Sequence, residues 1–302
     1  MDGSQVVMFP GIGAEYGQMI PKYLSAHPED EGTLEAWGRL SAADLQCPTP
    51  SDAYERERVH QLGIHALNLL WWKRVAGEFA KPAVCGHGLG YYAALVAAGI
   101  IDEETSFELV NAVIAASWRH AAVSDNDQLS FSITTRKEYP FDLAFWSVGA
   151  ETIGENCLRQ RVMYGARRQY EQIVDHLNGS LLASSILPTR IPFHSKAMYP
   201  FRDELGARVD KLAARASDPT LPLWSHVSGR RIFSAGEAIR VLIEQLHQCV
   251  HWMRLVDSLI QAGRFDFIEV GPNRMLSQVV RLICPHLSVR FVDRLRGCAA
   301  AA

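Results

Sequence analysis

Short apolar runs in this chain alternate with longer segments whose apolar residues recur at helical spacing. Residues 6–9 form a compact apolar run that stops at Pro10-Gly11-Ile12-Gly13, which reads as a buried strand entering a tight loop. Over residues 59–79, Leu62, Ala66, Leu67, Leu70, Trp71 and Val75 repeat at helical intervals and predict a core helix. Residues 83–85 predict a short strand, followed by Gly86-His87-Gly88-Leu89-Gly90 and a helix over 91–98. Asp102 stands as N-cap of a further helix reaching about residue 122, with Phe107, Val110, Ile114 and Trp118 on one face.

The pattern changes over residues 128–168. β-like runs at 129–134, 145–148 and 160–163 are followed by a helical stretch at 170–177 and a strand-like one at 180–192. This block predicts a small α+β unit. Beyond it come a strand at 221–227, a broken helical segment at 237–263, a buried strand at 265–270, a helix at 274–282 and a last strand at 289–292. Strands alternating with helices predict a parallel sheet covered on both faces. The plan is therefore a larger α/β domain interrupted by a small α+β domain.

Composition narrows the function classes. The 302 residues are 48% apolar and 21% charged with a net charge of −3, which suits a folded core and lacks the basic excess expected of a nucleic-acid binder. Arginines cluster at 159, 161, 167 and 168; a solvated surface is the plainer reading, a landing site for an acidic protein or a phosphate the functional one. No apolar stretch is long enough to span a membrane, and the first residues lack the pattern of a signal peptide, so a cytoplasmic protein is expected. Six scattered cysteines without a CxxC pair predict free thiols and no metal site.

The segment after the strand at 83–85 carries the candidate chemistry. Strand, Gly-x-x-x-Gly, helix is the layout of a nucleophile elbow: the outer glycines permit a tight turn, and the middle residue sits where helix N–H groups can hold an oxyanion. The middle residue here is Gly88. Taken alone, the segment also fits a glycine-rich turn of any α/β protein, or a phosphate-binding loop.

Other segments add to it. VMFPGIG at 7–13 resembles an FPGQG motif; GHGLGYYAALVAAG at 86–99 resembles GHSLGEYAALVAAG; IPFHSKAM at 191–198 resembles a segment that carries a catalytic histidine. Gln61, the Gln245-Leu246 through His251-Trp252 segment, and IEVGPNRML at 268–276 fall in the same order and spacing. Together they are similar to malonyl-CoA:acyl carrier protein transacylases and polyketide synthase acyltransferase domains over essentially the whole chain. The resemblance implies a parallel-sheet α/β-hydrolase-like large domain, residues 1–124 and 195–302, with an inserted ferredoxin-like α+β domain, residues 125–194.

It also implies acyl transfer in fatty-acid or polyketide synthesis, with an acyl carrier protein as partner and an acyl-CoA or other acyl thioester as substrate. Coenzyme A or phosphopantetheine would arrive with the substrate, without a resident cofactor or metal, and the protein would act in trans as a monomer. His194 matches the family's general base, whose pKa lies near operating pH. A main-chain carbonyl near Gly271-Pro272-Asn273 would orient its ring, with Asn273 at the substrate site. His87, Leu89 and Gln61 match positions that line the family's pocket.

Three positions depart from the family. Gly88 replaces the serine nucleophile, so no serine acyl-enzyme can form. Ile12 replaces the glutamine of FPGQG, and Val113 falls where an arginine pairs with the malonyl carboxylate. Arg119, six residues on, is turned about 240° around the helix from Val113 and is a poor substitute. Cys85 is expected to point into the core. An apolar pocket for an uncharged acyl group follows. Three readings remain open: direct transfer using His194 without a covalent intermediate, a catalytically inactive carrier-protein docking module, or a Ser→Gly variant of an active acyltransferase or acyl hydrolase.

Overall fold

The computed structural model describes residues 4–13, 19–38, 52–121 and 127–292. Among these, β1 (Gln5–Phe9) is buried along nearly its whole length and lies inside a six-stranded sheet. Its parallel neighbours are β2 (Ala83–Gly86) and β9 (Asp266–Glu269). The sheet continues through β10 (Ser288–Phe291) at one edge, and through β7 (Leu223–Trp224) and β8 (Arg231–Ile232) at the other. Only β8 runs antiparallel, so the sheet is mixed at that edge.

Helices cover both faces, as near-continuous apolar strands require. Helix α3 (Ala53–Val75) starts where the Asp52 carboxylate accepts the Glu55 N–H, and it buries Leu62, Leu67 and Leu70 beside Phe9 and Val84. Helices α4 (Gly90–Ala97) and α5 (Glu103–Ala121) join the same core. Asp102 caps α5 as expected, accepting the Thr105 N–H at 2.7 Å. On the opposite face, α10 (Trp252–Gln261) and α11 (Met275–Ile283) pack Trp252, Leu255, Leu276 and Val280 against Met8, Cys85 and Phe267.

Between α5 and β7, a second sheet of β3 (Gln128–Thr135), β4 (Glu151–Cys157), β5 (Gln160–Ala166) and β6 (Leu181–Ile186) is antiparallel in the order β4-β5-β3-β6. One face packs Phe131, Ile133 and Met163 on α7 (Arg167–Leu177). The other face turns toward the larger sheet. β4 is tied there: the Glu155 N–H donates to the Val250 carbonyl, the Val250 N–H to Ile153, and Glu155 pairs with His251 at 2.6 Å.

Several expected elements differ. Residues 145–148 form a turn after the short helix α6 (Phe141–Ala144), because Phe145 belongs to the aromatic cluster with Phe141 and Tyr139. The strand in that region is β4, absent from the sequence reading. β6 stops at Ile186 well short of residue 192, and β7 has two residues where seven were expected. In the arginine cluster, Arg161 is buried, donating to the Cys157 carbonyl and lying over the Phe141 ring. Arg167 and Arg168 are exposed, as a solvated surface requires.

Candidate active site

The turn between β2 and α4 is built by close backbone approach. A Cβ on Gly86 would overlap the backbone of Gly90, and one on Gly90 would overlap the Phe9 carbonyl. The His87 N–H donates to that same carbonyl at 2.9 Å, pinning the turn to the end of β1. Gly88 lies at its apex with φ +54°, a conformation that glycine adopts without a side-chain clash. A Cβ built on Gly88 would stand 3.0 Å from Nε2 of His194. The turn thus has the geometry of an elbow, with glycine at its apex.

His194 itself is a non-glycine residue at φ +66°. Such a conformation persists only where its surroundings hold it. The His194 N–H donates to the Leu246 carbonyl at 2.9 Å, and Nδ1 lies 2.5 Å from the Gln245 carbonyl. A carbonyl only accepts, so Nδ1 carries the proton and Nε2 presents its lone pair toward position 88. Burial pushes the His194 pKa down to about 4, against the pull of the Gln245 carbonyl, with His87 adding a further lowering. The ring is a neutral base at neutral pH.

The orienting carbonyl therefore comes from Gln245, at the end of helix α9 (Ala235–Glu244), and not from the turn after β9. Gly271 in that turn packs against Pro10 and Asn68. Asn273 is directed outward: it is exposed, accepts the Arg274 N–H at 2.7 Å, and does not line the cavity.

The cavity at the elbow encloses about 230 Å³. It brings together Ile12, Gln61, His87, Gly88, Leu89 and His194, as the sequence predicts, and Val113 lines it at 3% exposure. The backbone N–H groups of Ile12 and Leu89 have no hydrogen-bond partner among the described residues, and Gly11 brings the two turns within contact. They form a candidate oxyanion site. Gln61 donates to the buried Glu57 carboxylate at 2.6 Å, which leaves its amide oxygen for the cavity.

Among the described residues, no charged side chain lines the cavity. Arg119 is paired with Glu204 on the surface at 2.7 Å. The Cys85 thiol is buried against the Val7 carbonyl, and burial raises its pKa strongly, so it is no nucleophile. Ser195 is buried and donates to the Pro192 carbonyl.

Sequence reasoning missed the contribution of the second sheet. His87 Nε2 meets the Asn156 side-chain oxygen at 2.9 Å, the Asn156 amide donates to Gln160, and Gln160 donates to Thr134. This chain of bonds holds the elbow to β4, β5 and β3. His226, wholly buried, stacks edge-on to His194 with ring centroids 6.5 Å apart, and burial drives its pKa well down. The pocket is also less apolar than expected, because Ser130, Ser132 and Ser185 line it.

No protein-family model matches the chain. It is 29% identical over 294 residues to the malonyl CoA-acyl carrier protein transacylase of Bacillus subtilis, covering 93% of this chain and 87% of that protein. It is 24% identical over 311 residues to the corresponding protein of Escherichia coli K12, covering 97% of each. It is also similar to the polyketide biosynthesis malonyl CoA-acyl carrier protein transacylase PksC of Bacillus subtilis, at 24% identity over 91% of this chain and 96% of that one. Among solved structures, the transacylase of Coxiella burnetii superposes with a TM-score of 0.84 at 20% identity, covering 99% and 97% of the two chains. A type II polyketide synthase acyl carrier protein in complex with its malonyl-transacylase gives 0.82 at 22% identity, covering 96% and 95%. The shared α/β fold extends over the whole described chain.

Proposed function

We propose that the protein takes uncharged acyl thioesters, carried on acyl carrier protein or coenzyme A, and passes the acyl group directly to an acceptor without a covalent intermediate. The observation that carries this reading is the vector from Gly88 to His194. A Cβ at position 88 would stand 3.0 Å from His194 Nε2, whose ring the Gln245 carbonyl orients, and glycine leaves that position without a side chain. The space that a serine would fill lies open beside the base. An acceptor hydroxyl, amine or water in that space gives its proton to His194 Nε2 and attacks the thioester carbonyl. The oxyanion is held by the Ile12 and Leu89 N–H groups; its collapse breaks the carbon–sulfur bond, and the departing thiolate takes the proton from His194.

The similarity to malonyl CoA-acyl carrier protein transacylases over nearly the whole length supports acyl thioesters as the substrate class and a carrier protein as partner. Val113 and the absence of charged lining side chains among the described residues argue against malonyl, because a carboxylate in this cavity would meet no cation among them. In this reading the parallel-sheet body, residues 1–124 and 195–302, is α/β-hydrolase-like, and the insert at 125–194 is ferredoxin-like. It needs no resident cofactor; coenzyme A or phosphopantetheine comes with the substrate.

The test is intact-mass analysis of an octanoyl-loaded carrier protein incubated with the protein and a panel of amine, alcohol and water acceptors. Loss of the acyl group that disappears in His194→Ala is the expected result. A carrier protein that binds but keeps its acyl group with every acceptor would assign the chain to carrier-protein docking instead. A serine codon at position 88 of the natural gene would point to a Ser→Gly variant of an active enzyme.

A further inference from the structure

The wall that the second sheet gives to the cavity carries chemistry that the transfer step does not use. Ser130 and Ser132 stand two residues apart on β3 and so share a face, while Leu129, Phe131 and Ile133 point to the other and pack against α7. Ser185 on β6 is the direct cross-strand partner of Ser132. All three serines line the cavity, from Ser130 at 3% exposure to Ser185 at the exposed rim. None of their hydroxyls has a hydrogen-bond partner among the described residues.

The amides of the same wall are already engaged. Asn156 and Gln160 are committed to His87, to each other and to Thr134. Gln245 differs: it is 2% exposed and lines the cavity, and its side chain also faces the buried His226. Across the cavity stand Val110, Val113, Leu246 and the ring of Tyr92. The cavity thus mixes apolar side chains, Ile153, Val162 and Leu187 of the second sheet among them, with hydroxyl and amide groups, and among the described residues no charged side chain lines it.

A saturated chain filling this space would displace water from the serines and leave them unpaired, which is unfavourable. A carboxylated chain would meet no cation among the described lining residues. We propose that the cavity selects an oxygenated acyl chain, one bearing hydroxyl or keto groups along its length. Serine hydroxyls both donate and accept, so they pair with either group. The strand repeat sets Ser130 and Ser132 about 7 Å apart, so two well-separated oxygens on one chain can each find a partner. This proposal rests on the reading of the cavity as an acyl-thioester site.

The experiment is calorimetric titration of the full-length protein with N-acetylcysteamine thioesters of one chain length: octanoyl, 3-hydroxyoctanoyl and 3-oxooctanoyl. The oxygenated thioesters are expected to bind about tenfold more tightly than octanoyl. Ser130→Ala/Ser132→Ala is expected to lose that preference while still binding octanoyl. The comparison of ligands on the unsubstituted protein does not depend on the double variant folding, and Ser185→Ala at the rim supplies a second, milder substitution. Octanoyl binding as tightly as the oxygenated thioesters overturns the proposal while leaving the acyl-thioester reading intact. A preference that survives in a folded double variant also overturns it. Failure of all three thioesters to bind overturns the acyl-thioester reading and this proposal with it.

Discussion

At position 88 a glycine occupies the apex of an elbow-like turn beside His194, and the geometry makes the effect of a side chain there testable. A serine placed there adopts φ near +54°, at a cost of about 1–2 kcal/mol relative to glycine. Its Cβ would sit 3.0 Å from His194 Nε2, so the ring must yield by a few tenths of an ångström, and the hydroxyl falls within its reach. Gly88→Ser incubated with an uncharged acyl thioester is expected to gain the mass of one acyl group. Gly88→Ser/His194→Ala and the unsubstituted protein are expected to gain none. A folded Gly88→Ser that stays unmodified would remove the elbow reading. This part of the site was legible in the sequence because Gly86 to Gly90 and His194 each sit in a short contiguous motif. The carbonyl that orients His194 was not: it belongs to the main chain of Gln245, and a main-chain atom leaves no signature in residue type. Assigning that role to the segment around Asn273 failed for the same reason.

Among the elements, β9 and α11 meet at a carboxylate whose environment makes their junction sensitive to pH. Glu269 is buried, and its two oxygens accept the N–H groups of Leu276 and Ser277 at the start of α11. Burial outweighs these bonds and raises its pKa from 4.5 to about 7. The folded protein therefore holds a proton here that the unfolded chain releases between those values. The stability this proton brings is fully present below about pH 4.5 and is lost as pH rises through about 7, on the order of 3 kcal/mol. Glu269→Gln is expected to remove that slope and to lose about 1 kcal/mol for the cap bond that an amide nitrogen cannot accept. Urea midpoints of the two proteins at pH 5 and pH 8 measure it: the two should lie close together at pH 5, and the glutamine variant should be the more stable by about 2 kcal/mol at pH 8, whereas a difference that does not change with pH contradicts the assignment. The strands and helices flanking this junction were legible from their apolar runs. β4 was not, because Glu151, Gly154, Glu155 and Asn156 give it no apolar alternation; pairing with β5 on one side and Val250 on the other makes it a strand. The run at 145–148 misled in the opposite sense, since Phe145 buries into an aromatic cluster within a turn while Trp146 is left exposed.

For the whole molecule, the division into two sheets was visible in the change of pattern after residue 128, but not the way the second sheet faces the first. That facing closes the cavity, and it also determines how the protein responds to acid. His65 and His226 are wholly buried in the larger body, and His87 and His194 lie at the seam between the two sheets. Burial lowers all four pKa values from 6.5: His65 to about 3, His194 to about 4, and His87 and His226 in the same direction. In each case the unfolded chain takes up a proton that the folded protein refuses. Stability is therefore lost as pH falls below about 6.5, and four such groups outweigh the opposing slopes of Glu269 and Asp257, whose carboxyl pKa values burial raises. The urea midpoint is expected to fall steadily from pH 7 to pH 4.5, with net proton uptake on unfolding. A flat or rising midpoint would show that these rings are not held neutral. His65→Phe separates the contributions: it removes a histidine that does not line the cavity, whose Nε2 hydrogen-bonds Ser106 and whose ring packs against Phe107 and Tyr92, and it should flatten the acid slope by about one proton while leaving His194-dependent acyl loss unchanged. The burial that keeps His194 a neutral base is thus the same burial that makes the fold acid-labile, and weakening one without the other requires a residue outside the cavity.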